Sequence, residues 1–327
     1  MVNNGKMTRR GFLVGGACLT GACIQAGGAG GGADGGKKTI DPALAVLVSD
    51  VHVPLAWSEQ KYRTGREYPY LVAKIRHFVD EILSLKTLPS HLFCFGDVSL
   101  AFSEEREYEI AAELFRPIEE AGVKIVMTVG NHDMREPFLK HLGRWCPKSP
   151  VPGKVASVTS LPDFDLVLLD SLKEPKPADR GKYPALTGCE LGAAQKEWFE
   201  KAAAEAVRPT IVGAHHMAGA LGITKTVVCA PKVFGYIHGH NHQWEREYLF
   251  SGYSKTTVVR SQGLPSFGID RDIGYALLRS FPDRAELTYV ARDYYFPCEV
   301  PAAERPPLWN DIVRDNHART VRFPFSK

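Results

Sequence analysis

Short apolar runs alternate with amphipathic stretches through most of the chain. Between Pro42 and Ile237 the runs have the length of strands, and the stretches between them carry apolar residues at helical spacing. The pattern predicts strands at Ala43–Ser49, His91–Phe95, Val123–Val129, Leu166–Leu169, Thr210–Gly213 and Val233–Ile237, and helices at Tyr70–Leu85, Glu104–Ala121 and Ala193–Ala206. This alternation favours an α/β domain with buried, largely parallel strands.

After Glu245 strand-like runs follow one another without helices between them. They predict strands at Tyr248–Phe250, Thr256–Val259, Tyr275–Arg279 and Glu286–Ala291. We therefore assign residues 40–298 to one domain. Residues 299–327 contain several prolines, and we expect them to form a tail packed on that domain.

Polar residues follow the predicted strands at the points where the strands end. Asp50, Asp97, Asn131, His215 and His240 each come just after an apolar run. In open α/β sheets, binding and catalytic sites are built at the carboxyl ends of the strands. We therefore expect these side chains to meet in one site.

The polar residues belong to five local patterns, which occur in a fixed order. They are Asp50-Val51-His52, Gly96-Asp97, Gly130-Asn131-His132-Asp133, His215-His216 and Gly239-His240-Asn241-His242. More than half of the chain's 11 histidines lie in these patterns. A set of carboxylate, amide and imidazole donors suits transition metals better than calcium or magnesium, which prefer oxygen alone. In Asp-x-His and His-x-His, alternate residues share a face and can turn toward one ion.

Together the five patterns resemble those of the calcineurin-like metallophosphoesterases, over about Ala43 to Arg292. The block Leu169-Asp170-Ser171, followed by Gln195 and Trp198, also resembles the middle section of that family. The resemblance implies a β-sandwich of two mixed sheets flanked by helices, with the site at the strand ends. It also implies a phosphoesterase with two transition-metal ions, of which manganese, iron and zinc are the leading candidates.

The resemblance further implies a role for each motif residue. One ion would be held by Asp50, His52 and His242, the second by Asn131, His215 and His240, with Asp97 bridging the two. A hydroxide shared by the ions would attack phosphorus. His132 would protonate the leaving oxygen or hydrogen-bond to it, and Asp133 would orient His132.

Three positions depart from the family's usual pattern. Leu100 stands three residues after Asp97, where cyclic-nucleotide phosphodiesterases of this class usually carry aspartate and purple acid phosphatases tyrosine. Met217 replaces the proline that often follows His-His, and a polar and aromatic insert lies between residues 50 and 70. Whether the substrate is a phosphomonoester or a phosphodiester stays open.

Two further residues are candidates for contact with substrate phosphate. Arg135 follows Gly-Asn-His-Asp closely, and a surface ion pair is the alternative role for it. His216 follows His215, and packing behind the ligands is an equally good interpretation. His238 precedes the last motif inside a strand, where we expect a buried histidine with satisfied hydrogen bonds.

Residues 1–36 differ in composition from the rest of the chain. A basic start is followed by a weakly apolar segment and then by a run of glycine and alanine, which is typical of a signal peptide and a flexible linker. Thr8-Arg9-Arg10-Gly11-Phe12-Leu13 resembles the twin-arginine export motif. We therefore expect export to the periplasm or surface of a bacterium. Small residues before Cys23 also leave a lipid anchor possible there, although Leu19 is one place too far from it.

Composition narrows the function classes. The formal net charge of +3 on 327 residues indicates neither a nucleic-acid partner nor a membrane partner. The seven cysteines include no C-x-x-C pair, and no run after the leader reaches the length of a membrane span. The sequence thus predicts an exported two-metal phosphoesterase acting on a small substrate. The alternative is a metal-bound but catalytically idle binding protein on the cell surface.

Overall fold

The computed structural model describes residues 38–55, 69–100, 103–173, 188–250, 258–266, 272–291 and 320–326. The expected leader, with Arg9, Arg10 and Cys23, lies outside the described residues, as does most of the expected tail. The described elements in chain order are β1 (Ile40–Val48), α1 (Pro69–Ser84), β2 (Leu88–Cys94), α2 (Glu105–Glu120), β3 (Lys124–Met127), α3 (Arg135–Leu142), β4 (Ser157–Ser160), β5 (Asp165–Leu169), α4 (Ala193–Glu205), β6 (Thr210–Ala214), α5 (Thr224–Cys229), β7 (Val233–His238), β8 (Arg246–Phe250), β9 (Val258–Gly263), β10 (Gly274–Phe281), β11 (Arg284–Ala291) and β12 (Thr320–Pro324).

The strands form two six-stranded mixed sheets. The first sheet has the order β12-β11-β10-β1-β2-β3, in which β1, β2 and β3 are parallel and the other pairings are antiparallel. The second has the order β4-β5-β6-β7-β9-β8, with a parallel centre from β5 to β9 and an antiparallel strand at each edge. The expected fold, two mixed sheets flanked by helices, is confirmed.

Three apolar layers hold the sheets and helices together. The inner faces of the two sheets share a core that includes Leu47, Phe93, Leu168 and Ile237. The outer face of the first sheet packs under α1 and α2, and that of the second packs under α4 and α5. The last five residues of β1 are buried, which explains why this strand reads as a continuous apolar run rather than as an alternating one.

Glycine in the second sheet lets aromatic rings of the first sheet come close. A Cβ added at Gly235 would lie 2.3 Å from Cδ1 of Phe323, and one at Gly213 would lie 2.5 Å from Cε1 of Phe95. Both rings are fully buried. The two sheets therefore interlock at positions where any larger residue would push them apart.

The pattern misses four short elements, namely β4, α3, α5 and β12. Residues 320–324, expected to belong to a tail over the surface, form β12 and pair with β11 at the edge of the first sheet. Val321 and Phe323 alternate with exposed residues, but two apolar positions are too few to predict a strand. No helix among the described residues is long and apolar enough to cross a membrane.

Candidate metal centre

The carboxyl ends of five parallel strands bring the predicted ligands together. Asp50 follows β1, Asp97 follows β2 and Asn131 follows β3, while His215 follows β6 and His240 follows β7. The site therefore lies where the same ends of both sheets meet. The expected convergence of these side chains is what the fold shows.

The backbone of the ligand loops is strained. Asp50, His52, Asp97, His240 and His242 have φ angles between 50° and 68°, in the left-handed region. Residues other than glycine rarely adopt this conformation, which costs on the order of 1–3 kcal/mol and persists where the surroundings over-determine it. Five such residues lie in one site. We infer that the backbone strain is maintained because it directs these side chains into the site.

We call Asp50, His52 and His242 the first-ion half. Nε2 of His242 lies 3.1 Å from Oδ1 of Asp50 and 3.3 Å from Nε2 of His52. Nδ1 of His52 lies 3.2 Å from the carbonyl oxygen of Ser99, which leaves its Nε2 directed at the other two side chains. Oδ1 of Asp50 is buried and lies near the Nε2 atoms of His242, His52 and His215, at 3.1, 3.9 and 3.9 Å. A bound cation would share this carboxylate oxygen with the imidazole nitrogens.

We call Asn131, His215 and His240 the second-ion half. Nε2 of His215 lies 3.2 Å from Oδ1 of Asn131, and its Nδ1 lies 3.0 Å from the carbonyl oxygen of Phe95. The ring of His240 is centred 5.3 Å from that of His215. Ring nitrogens of His215, His216 and His240 come within 4.8 Å of one another. The second-ion half therefore also brings several metal-binding donor atoms close together.

Asp97 lies between the two halves. Its Oδ2 is 3.1 Å from Nε2 of His215 and 4.0 Å from Nε2 of His52. Its Oδ1 accepts the backbone N–H of His132 at 2.8 Å. A Cβ added at Gly130 would come within 2.1 Å of Oδ1, so this glycine is required by the close approach of the carboxylate. A bridging carboxylate would occupy this position.

The electrostatics of the site favour a bound cation. Burial lowers the pKa of His215, but the attraction of Asp97 and Asp50 outweighs it and raises that pKa to about 9. Burial likewise raises the pKa of Asp50, yet His242 and His215 bring it below its usual range. Burial and the neighbouring His132 lower the pKa of His52 to about 3, so this ring is neutral and able to donate a lone pair. The buried carboxylates therefore attract positive charge, and the donor set fits transition-metal ions.

His132 faces the site beside the first-ion half, with its ring centred 4.7 Å from that of His52. Its Nε2 lies 4.0 Å from Oδ2 of Asp97, and its Nδ1 lies 2.6 Å from the carbonyl oxygen of Leu100. The side chain is partly exposed, at 14%. It is therefore reachable by a substrate and held in one orientation by a backbone carbonyl.

The role expected for Asp133 needs correction. Its carboxylate does not contact the His132 ring, but accepts the backbone N–H groups of Val98, Ser99 and Gly130 at 2.9–3.3 Å and the hydroxyl of Tyr108 at 3.3 Å. Burial, and then the charge of Asp97, raise the pKa of Asp133 to about 6. Asp133 thus ties together the loops after β2 and β3, and the carbonyl of Leu100 takes the orienting role.

Arg135 also differs from expectation. Its Nε and Nη2 donate to the two oxygens of Asp170, each at 2.7 Å, and Nη2 donates to the carbonyl of Leu172 at 2.6 Å. Asp170 is fully buried and Arg135 is 12% exposed. The guanidinium therefore forms a two-pronged, largely buried ion pair rather than a surface salt bridge.

His216 lies against the second-ion half. Its Nδ1 is 2.8 Å from Oγ of Ser171, and its ring centre is 4.5 Å from that of His240. Burial, and then the charge of His215, lower its pKa to about 2, so the ring is neutral. Ser171 belongs to the block that resembles the family's middle section, but its contact with His216 is not readable from sequence.

His238 is buried, as expected, but only one of its two ring nitrogens has a hydrogen-bond partner among the described residues. Its Nδ1 lies 2.9 Å from the carbonyl oxygen of Gly239, while its Nε2 has no hydrogen-bond partner among the described residues. Burial lowers its pKa, so the ring is neutral.

The fold and the donor set together define the class of metal-dependent phosphoesterases. The chain belongs to the calcineurin-like phosphoesterase family, whose model matches residues 45–244. The family predicted from the five motifs is therefore confirmed.

Three known proteins to which the chain is similar differ from it widely in sequence. A probable cyclic nucleotide phosphodiesterase of Synechococcus is 29% identical over 46% of this chain, and the match spans 53% of that relative's length. A dimetal phosphatase from Danio rerio superposes with a TM-score of 0.59 at 13% identity, covering 88% of this chain and all of the other. A structure of PhoD superposes with a TM-score of 0.47 at 10% identity, over 76% of this chain and 66% of that one. At such identities the likeness to solved structures concerns the fold.

Proposed function

We propose that the protein is an exported phosphoesterase that hydrolyses small phosphomonoesters or phosphodiesters with two bound transition-metal ions. The observation that carries this proposal is the convergence of two sets of donors, one on either side of the Asp97 carboxylate. Asp50, His52 and His242 would hold one ion, and Asn131, His215 and His240 the other. Manganese, iron and zinc suit such mixed oxygen and nitrogen donors.

Two ions in these positions would neutralise phosphate charge and lower the pKa of an attacking water. His132 would act on the leaving oxygen. With Nδ1–H donated to the carbonyl of Leu100, a second proton on Nε2 can pass to the leaving group as the P–O bond breaks.

His216 would bind a phosphoryl oxygen that does not leave. If the Ser171 hydroxyl donates to Nδ1, the proton of the neutral ring is on Nε2, where it can serve as a hydrogen-bond donor. The contact makes Ser171 the residue that fixes the tautomer. This role replaces the one expected for Arg135, whose charge is balanced by Asp170.

The test is a panel of aryl phosphomonoesters and phosphodiesters, assayed with Mn, Fe, Zn, Ni or Co added after chelation. Turnover that depends on added metal is expected for at least one of the two ester classes. The relatives are a probable phosphodiesterase and a phosphatase by name, so both arms are needed. A protein that binds two ions yet hydrolyses neither class would instead be the metal-bound, idle binding protein.

Export is a separate part of the proposal and rests on the sequence alone. Replacing Arg9 and Arg10 with lysine keeps the charge but removes the planar guanidinium donors. We expect the double lysine variant to stay in the cytoplasm, folded and active. If fractionation finds it outside the cytoplasm as often as wild type, the twin-arginine assignment fails. Labelling with radioactive fatty acid, compared with Cys23→Ser, would test the lipid anchor.

A further inference from the structure

Two consecutive backbone carbonyls hold the imidazoles of two different site residues. The carbonyl oxygen of Ser99 lies 3.2 Å from Nδ1 of His52, and that of Leu100 lies 2.6 Å from Nδ1 of His132. The two rings are edge to face, with centres 4.7 Å apart. One dipeptide therefore sets the direction of a proposed metal ligand and of the proposed acid.

The dipeptide is itself anchored by buried carboxylates on both sides. Its Ser99 N–H donates to Asp133 at 3.1 Å. On the other side, the hydroxyl of Ser99 donates to Oε2 of Glu107 at 2.7 Å. Ser99 is fully buried, so no water competes for this hydrogen bond.

Glu107 lies in the first turn of α2 and is 3% exposed. Besides Ser99, it accepts the backbone N–H of Glu104 at 2.9 Å, and the Ser99 hydroxyl oxygen accepts the N–H of Ser103 at 2.9 Å. Glu107 thus joins Ser99 to Glu104. Burial raises the pKa of Glu107 to about 7, against hydrogen bonds from Ser99 and from backbone N–H groups, so this carboxyl is costly to keep here.

We propose that Glu107 is a positioning residue for the reaction, acting through Ser99 on the carbonyls that orient His52 and His132. The proposal rests on the function proposed above for these two histidines. The simpler role for Glu107 is that of a helix cap, because Glu104 and Glu107 form a reciprocal capping box at the start of α2. A helix cap does not require the hydrogen bond between the Ser99 hydroxyl and Glu107.

Four variants separate the two roles. Glu107→Ala removes both the link to Ser99 and the cap. Ser99→Ala removes the link to Glu107 and the contact with the Ser103 N–H but keeps the cap, and Glu104→Ala removes only the reciprocal half of the cap. Glu107→Gln keeps an acceptor oxygen of the same reach. We expect Glu107→Ala and Ser99→Ala to lower kcat by about 10- to 100-fold for aryl esters with poor leaving groups, the usual range for residues that orient ligands. The loss should be smaller for nitrophenyl esters, and Glu107→Gln should restore most of the rate.

The two losses should not add in the double variant Glu107→Ala/Ser99→Ala, because both remove the same link. Glu104→Ala should lower the Tm without changing kcat or the dependence on leaving group. If Glu107→Ala lowers the Tm like Glu104→Ala and leaves the rates unchanged, Glu107 is a helix cap only. If Glu107→Ala does not fold, Ser99→Ala decides the same question with the cap intact.

A second measurement does not depend on turnover. In the Zn²⁺-loaded protein labelled with ¹⁵N-histidine, the Nδ1 resonances of His52 and His132 report their hydrogen bonds to the two carbonyls. Glu107→Ala and Ser99→Ala should shift both resonances, and Glu104→Ala should shift neither. Resonances unchanged in Glu107→Ala would overturn the proposal. Failure of wild type to hydrolyse any ester would defeat the proposed function and leave this measurement valid.

Discussion

The two halves of the metal centre differ in burial and in backbone conformation. In the first-ion half, Asp50 is fully buried, His52 is 2% exposed and the His242 side chain 16% exposed, and all three residues have a left-handed backbone. In the second-ion half, Asn131 and His215 are buried in ordinary backbone, whereas His240 is exposed and left-handed. The first-ion half is therefore the more buried of the two, and only the second-ion half includes an exposed ligand.

The difference has a physical meaning for ion binding. An enclosed ion exchanges only if buried ligands move, whereas an ion with an exposed imidazole can gain water as that ligand leaves. His240 is also tied to the other half, because its backbone N–H donates to Oδ2 of Asp50 at 3.1 Å. The exposed ligand therefore depends on the more buried half for its position. A second contact joins the halves, since Nε2 of His215 lies 3.9 Å from Oδ1 of Asp50.

Removing the Asp97 carboxylate should have the largest effect, because both proposed ions share it. Asp97→Ala is expected to eliminate turnover while the protein still folds, and metal analysis should find less than one ion per chain. Asp283→Ala, which changes a 73% exposed carboxylate on a distant turn, is the control. Two tightly held ions in the Asp97 variant would contradict the bridging position. Asn131→Ala should also eliminate turnover, but with the ion of the first half retained.

His132→Ala should leave both halves loaded and still slow the reaction by about 100- to 10,000-fold, the usual contribution of a general acid or base. The loss should shrink for nitrophenyl esters, which need little protonation. Rates across a series of leaving groups, with metal content measured in parallel, give the result. His141→Ala removes an imidazole outside the site and serves as control. Equal losses for good and poor leaving groups would show that His132 positions phosphate instead.

Ser171→Ala should affect only the second-ion half, and it should impair the reaction less than the Asp97 and His132 variants do. Without the hydroxyl, His216 loses the partner of its Nδ1, and we expect KM to rise about tenfold, the equivalent of one hydrogen bond, with little change in kcat. Ser280→Ala, which removes a hydroxyl bonded to Asp163 far from the site, is the control. An unchanged KM would remove His216 from substrate binding.

The smallest expected effect is on ion retention in wild type. During dialysis against a chelator, one ion should leave before the other, because only the second-ion half has an exposed ligand. Metal content followed over time should show two phases, the first of which is lost in Asn131→Ala. Simultaneous loss of both ions would mean that the difference in exposure does not control exchange.

The sequence predicts most of the elements, and the residues that the fold brings together in the site, because both leave local signals. Apolar periodicity marks strands, and Gly-Asn-His-Asp or His-x-His stands out against its neighbours. The partners of these residues leave no such signal. The orienting atom for His132 is the backbone carbonyl of Leu100, and every residue has a carbonyl. Arg135 and Asp170 lie 35 positions apart, so nothing local indicates that one neutralises the other.

The edge strand β12 is synthesised later than the strands against which it packs. Residues 320–324 pair with β11, and Phe323 fills the space above Gly235 in the other sheet. A ribosome makes these residues after every ligand of the metal centre. Until they emerge, β11 lacks its outer partner and the seam between the sheets lacks a buried aromatic ring. We therefore expect the first sheet to gain its outer strand, and the seam its buried ring, only after residues 320–324 have been synthesised.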